Sequence, residues 1–323
     1  MRPRMPPVAH TRQETRKMSA ELKFEGVFPI LATPFEGNEN PDLESFDHLV
    51  RFIGGLGVDG ITILGVLGEA NRLLDREREQ LIRTAVAAAG NLPVIVGTSH
   101  SGTGAARELS QMAQHLGAQA VMVTPHAEGV PNDDRVAEYY KSIAEGVSIP
   151  IVMQDHPAST QVHMSASLLL RIIRDVPQIA CLKEEAVPTA PKIRALSAGM
   201  KERKVPILTG LGALYGLFDL EAGSSGFNTG FAFPEVLMAM LKAAGASDWV
   251  RVREIYTRFL PLIVFEQQPG VAIRKEILRL RGAIHGSKVR HPGAPLQTAT
   301  ADQLRTLIDS LLPGQDLSRP VKV

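Results

Sequence analysis

The sequence predicts an α/β fold, a (β/α)8 barrel of the TIM type with a C-terminal helical extension, and three observations carry that prediction. Eight short β-type runs alternate with longer segments of helical periodicity, the pattern of repeated βα units around a parallel sheet. The runs are mostly continuous apolar stretches, as strands buried on both faces must be. Eight such pairs in about 220 residues fit a closed barrel better than an open doubly wound sheet.

In order, the runs are GVFPILATPF (26–35), GITILGV (60–66), PVIVGT (93–98), AVMVTP (120–125), PIVMQDH (150–156), IACLKEE (179–185), PILTG (206–210) and GFNTG (226–230). The helical segments between them carry apolar stripes: Phe46, Leu49, Val50 and Ile53 form one, and Leu109, Met112 and Leu116, closed by Gly117, form another. Asn40 before Pro41, Asp75, and Ser165 or Ser167 are the expected caps. Three more amphipathic helices follow the eighth pair, over 247–265, 270–283 and 301–312. The expected organisation is a disordered basic tail at 1–20, a barrel at 21–245 and a helical region at 246–323.

With 323 residues, 44% of them apolar, the chain can bury a large core as one domain. Lys plus Arg number 35 against 34 for Asp plus Glu, with no basic stripe interleaved with aromatics, so neither nucleic acid nor an anionic membrane is an expected partner. No apolar stretch reaches the length of a membrane span. Cys181 is the single cysteine, which excludes an intrachain disulfide or a multi-cysteine metal site and suits a reducing cytoplasm; it reads as a small core residue. Residues 1–20 lack the apolar segment of a secretory signal, and Met18 is an alternative start to Met1.

In such barrels the site forms at the C-terminal ends of the strands. That rule selects Thr33, the segment GVLGE (65–69), His100, His126, Gln154, Asp155, His156, Lys183, Glu184, Glu185, Gly210 and Asn228. Lys183 stands apart. It ends an apolar strand on which alternation places Cys181, Lys183 and Glu185 on one face. Desolvation there favours the neutral amine, which attacks a ketone to form an imine, an electron sink for breaking a neighbouring bond. The competing reading is a lysine that snorkels to the barrel mouth or pairs with Glu184 or Glu185.

Several segments then carry a resemblance. GVFPILATPF, GVLGE, VTP (123–125), CLKEEA (181–186) and GSSGFNTG (223–230) occur in the order and spacing of the dihydrodipicolinate synthase / N-acetylneuraminate lyase family, over about residues 24–312, and the chain resembles that family. The resemblance implies a Schiff base between Lys183 and pyruvate or a related 2-oxo acid, with C–C cleavage, condensation or dehydration as the reaction. It also implies no metal or organic cofactor, and a homotetramer or homodimer.

The chain departs from the family where protons move. Val66 and Leu67 stand at the threonines of the family's GTTGE motif, Gln154 at the tyrosine of its YNxP motif with Asp155 at the asparagine, and His126 and Ala127 at the tyrosines of VTPYY. An amide does not titrate near neutrality, so Gln154 cannot replace a phenol, and His156 on the same face becomes the first candidate acid–base group, with His126 the second. Ser159 stands where the synthases carry an arginine, which removes a bidentate clamp for a dicarboxylate-like second substrate. The backbone N–H groups of Leu67, Gly68 and Glu69 still offer a seat for a 2-oxo acid carboxylate. Leu211 and Ala213 lack hydroxyl-binding groups, which points to a less hydroxylated substrate. Two rivals remain open: a metal-dependent enzyme using His100, His126 and His156, and a non-catalytic barrel that binds 2-oxo acids.

Overall fold

The computed structural model describes residues 22–127, 132–268 and 270–323; the expected tail at 1–20 and the choice between Met1 and Met18 lie outside them. Eight parallel strands occur in chain order: β1 (Gly26–Val27), β2 (Ile61–Ile63), β3 (Val94–Gly97), β4 (Ala120–Val123), β5 (Ile151–Asp155), β6 (Ile179–Glu184), β7 (Ile207–Thr209) and β8 (Gly226–Phe227). From β2 to β8 each strand pairs with its sequence neighbours, and β8 also pairs with β1. The remaining seam is closed beyond β1, where Ile30 bridges Thr62 in parallel and Thr62 N–H donates to the Pro29 carbonyl. The fold is therefore the expected (β/α)8 barrel followed by C-terminal helices.

Every strand is shorter than its apolar run because the ladder ends where the chain turns into a loop at the barrel mouth. In the first run, Pro29 and Pro34 have no N–H to contribute, which confines the regular ladder to Gly26–Val27. At the base Gly26 pairs with Gly226, and a Cβ on Gly226 would overlap the Gly26 carbonyl, so the β1–β8 contact requires glycine.

Alternation divides the side chains into two layers. Ile61, Ile63, Val94, Val96, Val121, Val123, Ile151, Met153 and Leu182 point outward and pack on the stripes of the surrounding helices, including Leu49, Val50 and Ile53. Phe24, Phe28, Ile95, Met122, Val152, Cys181 and Leu208 fill the interior beneath the mouth. Cys181 is wholly buried there, as the sequence reading had it.

One expected helix cap is in place and two are displaced along the chain. Ser165 Oγ caps the helix Ala166–Asp175 by accepting the Leu168 N–H at 3.1 Å. At the first helix, Leu43–Gly55, the cap is Asp42 rather than Asn40: Asp42 Oδ1 accepts the Ser45 N–H at 2.9 Å, while Pro41 is held in a bridge with Phe35. Asp75 is the first residue of its helix, not its cap, and Glu77 reaches back to accept the Leu74 N–H at 2.8 Å.

The three late helices are Trp249–Phe265, Gly270–Leu280 and Thr298–Leu311. The first and third pack with Pro234–Gly245 on Val27 and Phe227 through Val252, Phe259, Ile263 and Leu304. Among the described residues, no helix is long and apolar enough to cross a membrane.

Candidate active site

The register of β5 on β6 sets Gln154 opposite Lys183 and Asp155 opposite Glu184. A shift in pairing between Ile151 and Val152 brings the inward faces into line, so Val152 and Cys181 lie below and Gln154 and Lys183 above. Lys183 is 2% exposed and does not snorkel; its Nζ lies 3.1 Å from Glu185 Oε2. The lysine thus has the carboxylate neighbour that the competing reading allowed, but the pair faces a cavity rather than bulk water.

Glu185 is held from three sides. Its Oε2 accepts Gln154 Nε2 at 2.6 Å, and its Oε1 accepts the Leu211 N–H at 2.9 Å. A Cβ at Gly210 would overlap the Glu185 side chain, so Gly210 provides its seat, and it is not among the residues lining the cavity. Burial opposes the ionised carboxylate, but Lys183, His156, the Leu211 N–H and the Gln154 amide together hold its pKa below the ordinary glutamate value. It is an anion 3.1 Å from an amine, close enough for a proton to pass between them. Alternation had put Glu185 on the Lys183 face, but nothing in the sequence showed that Gly210 and Leu211 would fix its carboxylate there.

His156 follows β5, on the rim. Its Nδ1 is 2.7 Å from Ser159 Oγ and 4.0 Å from Glu185 Oε2. Burial lowers the His156 pKa, with Lys183 adding to the effect and Glu185 and Asp155 opposing it, so the imidazole is neutral at neutral pH. Ser159, in the position of the missing arginine, orients this ring.

The opposite wall is the loop 65–69. Leu64 and Glu69 at its ends take left-handed backbone conformations (φ 57° and 53°), and Leu211 and Ala213 do the same after β7 (φ 47° and 65°). Such backbone costs on the order of 1–3 kcal/mol per non-glycine residue and persists where the surroundings enforce it. Thr33 Oγ1 donates to the Gly68 carbonyl at 2.7 Å, so Thr33 braces the loop from below. Glu69 anchors it from behind: its carboxylate takes Lys275 Nζ at 2.5 Å, Arg72 at 2.6 Å and the Arg290 N–H at 2.9 Å. Lys275 is as buried as Lys183, lies over the Phe35 ring at 4.4 Å, and burial pushes its pKa down to about 8. The C-terminal helices are therefore built into the site. Nothing local in the sequence marks Lys275 as Lys183 is marked, because its partner Glu69 lies far away in the chain.

These walls enclose a cavity of about 410 Å³. Lys183, Glu185, Gln154 and His156 form one side; Val66, Leu67, Leu211, Val271 and Val289 are apolar wall; Arg72, Gln267 and Arg274 stand toward the C-terminal helices. The Leu67 and Gly68 N–H groups have no acceptor among the described residues, as a carboxylate seat requires.

Three expected contacts lie elsewhere. Asp155 points outward from β5 to Lys192, behind the site, because Gln154 and His156 already occupy the inward positions. His126 lines a separate cavity with Pro125, Asn132 and Tyr139. Asn228 is fully buried beneath the cavity, its Nδ2 donating to Thr62 Oγ1 at 2.9 Å. The histidines proposed for a metal are not gathered: His100 Nδ1 accepts the Gly102 N–H at 2.9 Å, His126 lines the second cavity and His156 lines the first. Among the described residues, no group of three or more His, Cys, Asp or Glu is placed to hold one ion.

Comparison with known proteins agrees with this architecture. Residues 23–311 match the dihydrodipicolinate synthetase family. A curated relative from Azospirillum brasilense, L-2-keto-3-deoxyarabonate dehydratase, is 35% identical over 91% of this chain and 97% of its own length. The 4-hydroxy-tetrahydrodipicolinate synthase of Methanosarcina barkeri is 30% identical over 88% of this chain and 98% of its own. Among solved structures, the dihydrodipicolinate synthase of Rhodopseudomonas palustris superposes with a TM-score of 0.85 at 32% identity, covering 89% of this chain and 97% of that one. YagE of E. coli K12, a family member solved in complex with pyruvate, gives 0.82 at 26% identity, covering 89% and 98%. Barrel, site position and similarity over nearly the whole described length lead to one assignment: this chain belongs to the dihydrodipicolinate synthetase family.

Proposed function

We propose that this lyase forms a Schiff base between Lys183 and a 2-oxo acid and that its reaction is dehydration of a 3-deoxy-2-oxo acid, with Glu185 moving the protons. The observation that carries this reading is the Lys183–Glu185 pair, 3.1 Å apart at a cavity whose walls contain no tyrosine. The amine attacks C2 of the oxo acid, and Glu185 passes the protons the nitrogen loses to the oxo oxygen, which departs as water and leaves Glu185 a carboxylate again. The protonated imine then acidifies C3, whose proton also passes to Glu185, leaving the electron pair in an enamine. That pair expels the C4 hydroxyl, which leaves as water with the proton Glu185 took from C3, relayed through the neutral imidazole of His156 4.0 Å away on the rim. The N–H groups of Leu67 and Gly68 take the C1 carboxylate.

Dehydration is favoured over condensation on two grounds. The relative at 35% identity is a 2-keto-3-deoxy acid dehydratase, and elimination needs a base and an acid on one substrate without a second carbonyl partner. Assembly as a homodimer or homotetramer belongs to the same reading and is checked by light scattering.

The experiment is borohydride reduction in the presence of pyruvate, followed by mass spectrometry. The expected result is the reduced pyruvyl mass on Lys183. No adduct with any 2-oxo acid, together with loss of turnover on chelation, would put a metal-dependent reaction in its place. An adduct without turnover over a broad panel of 3-deoxy-2-oxo acids would make the chain a binding protein.

A further inference from the structure

The cavity carries a cation that the reaction at Lys183 does not use. Of its charged lining side chains, Arg72, Lys183 and Arg274 stand against Glu185 alone. Lys183 is matched by Glu185. Arg72 is tied to the loop through Nη1, which donates to Glu69 Oε2 at 2.6 Å and to the Arg290 carbonyl at 3.2 Å, and its side chain is 24% exposed.

Arg274 is different. Its Nε donates to Glu266 Oε2 at 2.9 Å, and Glu266, wholly buried, is fixed in turn by the Ala232 N–H at 3.2 Å. The guanidinium side chain is 12% exposed, and neither Nη1 nor Nη2 has an acceptor among the described residues. The fork crosses from the helix Gly270–Leu280 to the ends of β7 and β8. A Cβ at Gly212 would come 2.7 Å from Nη2, one at Gly270 3.5 Å from Nη1, and one at Gly230 3.6 Å from Cδ. Three glycines thus make room for a planar group whose end-on pair of N–H donors is left unsatisfied.

A guanidinium held by its Nε and open at both Nη atoms has the geometry for bidentate contact with a carboxylate. Arg274 lines the same cavity as Lys183, with Val66, Leu67, Leu211 and Val271 as apolar wall and Gln154, His156, Thr229 and Gln267 as its uncharged polar side chains. We infer that Arg274 determines specificity by binding the terminal carboxylate of a 2-oxo dicarboxylic acid whose oxo carbon is captured at Lys183. The inference rests on the Schiff-base reading above for the position of the oxo end. It corrects one step of the sequence argument: the cation missing at Ser159 is supplied from the C-terminal helices. Glu266 is a positioning residue that acts through Arg274.

The test compares binding of 2-oxoglutarate and 2-oxopentanoate, which differ in the terminal carboxylate, by calorimetric titration of the full chain, with pyruvate–borohydride trapping as a second readout. The wild-type protein is expected to bind 2-oxoglutarate roughly 10- to 100-fold more tightly, the range for hydrogen bonds to a charged group. Arg274→Gln removes the difference and leaves pyruvate trapping intact, since pyruvate has no distal group. Arg274→Lys, a point charge without the fork, retains part of it. Equal binding of the two acids by the wild-type protein overturns the inference without recourse to any variant. So does a preference that persists in Arg274→Gln, or an equal loss of both acids and of trapping, which would make Arg274 a support of the imine pocket. If the wild-type protein gives no pyruvate adduct yet shows an Arg274-dependent preference for 2-oxoglutarate, the Schiff-base reading fails and the carboxylate site stands.

Discussion

Glu185 Oε2 lies 3.1 Å from Lys183 Nζ and also accepts the Gln154 amide at 2.6 Å, so one carboxylate oxygen joins the amine to the residue in the family's tyrosine position. Gln154 cannot transfer a proton, but it can hold the group that does. On the function proposed above, the relay of the missing tyrosine is substituted rather than lost.

Replacing Lys183 by Arg keeps the charge beside Glu185 and removes the primary amine. The borohydride adduct is expected to vanish and turnover to fall on the order of 10³-fold or more, with the fold retained. Trapping at another lysine in this variant would assign the imine elsewhere. Lys275, the other buried lysine, is the position to inspect, and its contact with Glu69 rather than with the cavity makes that outcome contrary to the geometry.

Glu185→Gln keeps an acceptor for the Leu211 N–H and removes the base. Turnover is expected to fall by roughly 10²- to 10⁴-fold, the usual share of general acid–base catalysis, while pyruvate still reaches Lys183. Because the folded pKa of Glu185 is depressed, the carboxylate supplies its stability above the ordinary glutamate value, and that stability is lost as pH falls through the folded value. The acidic limb of the kcat/KM profile is thus expected to lie below the ordinary range and to disappear in the variant. An unchanged limb would remove Glu185 from the reaction.

The barrel and Lys183 were legible in the sequence because both rest on periodicity: alternation on β6 fixes which side chains face inward, whatever lies around them. The same rule, applied strictly to β5, excludes Asp155 from the cavity once Gln154 and His156 are inside. A motif alignment had drawn Asp155 in, and motif position carries no side-chain direction. His126 was misplaced for another reason, since β4 ends at Val123 and a residue three places beyond a strand no longer inherits its face. The contributions of Glu69, Arg274 and Lys275 depend on contacts between distant parts of the chain, as in Lys275 to Glu69, and no local pattern encodes them.

Burial depresses the His156 pKa, so His156 is neutral at pH 7 and its folded form disfavours protonation. The resulting stability is complete above the unfolded value near 6.5 and is lost as pH falls through the folded value. His156→Asn should lower kcat with little change in pyruvate trapping, and should flatten the loss of melting temperature on mild acidification. Full turnover in this variant would transfer the acid role to water.

Glu69→Gln tests whether the C-terminal helices hold the catalytic loop. Lys275 would then be a wholly buried cation without a carboxylate, and removing one partner of a buried pair costs about 3–5 kcal/mol. Arg72 and the Arg290 N–H would lose the same anchor, releasing Leu67 and Gly68 from the geometry of a carboxylate seat. The expected signature is a lower melting temperature together with a rise in KM that exceeds the fall in kcat. A drop in stability with unchanged KM would confine the clamp to folding.

Behind the site, Asp155 and Glu184 share the outer face of β5 and β6 and compete for Lys192. Asp155 Oδ1 and Glu184 Oε2 have no hydrogen-bond partner among the described residues. Burial, reinforced by Asp155 and opposed by Lys192, raises the Glu184 pKa to about 8, and burial raises that of Asp155 too. A carboxyl whose folded pKa lies above its unfolded value contributes stability that is fully present below the unfolded value, near 4.5, and is lost as pH rises through about 8. Melting temperature is therefore expected to decline between about pH 5 and pH 8, and Glu184→Gln, neutral at every pH, to flatten that decline. Because Glu184 sits between Lys183 and Glu185 in the chain, its ionisation places a second negative charge at the strand end that carries the reacting pair. Denaturation of both proteins at a series of pH values checks the point, and parallel curves would show that Glu184 is already ionised at pH 5.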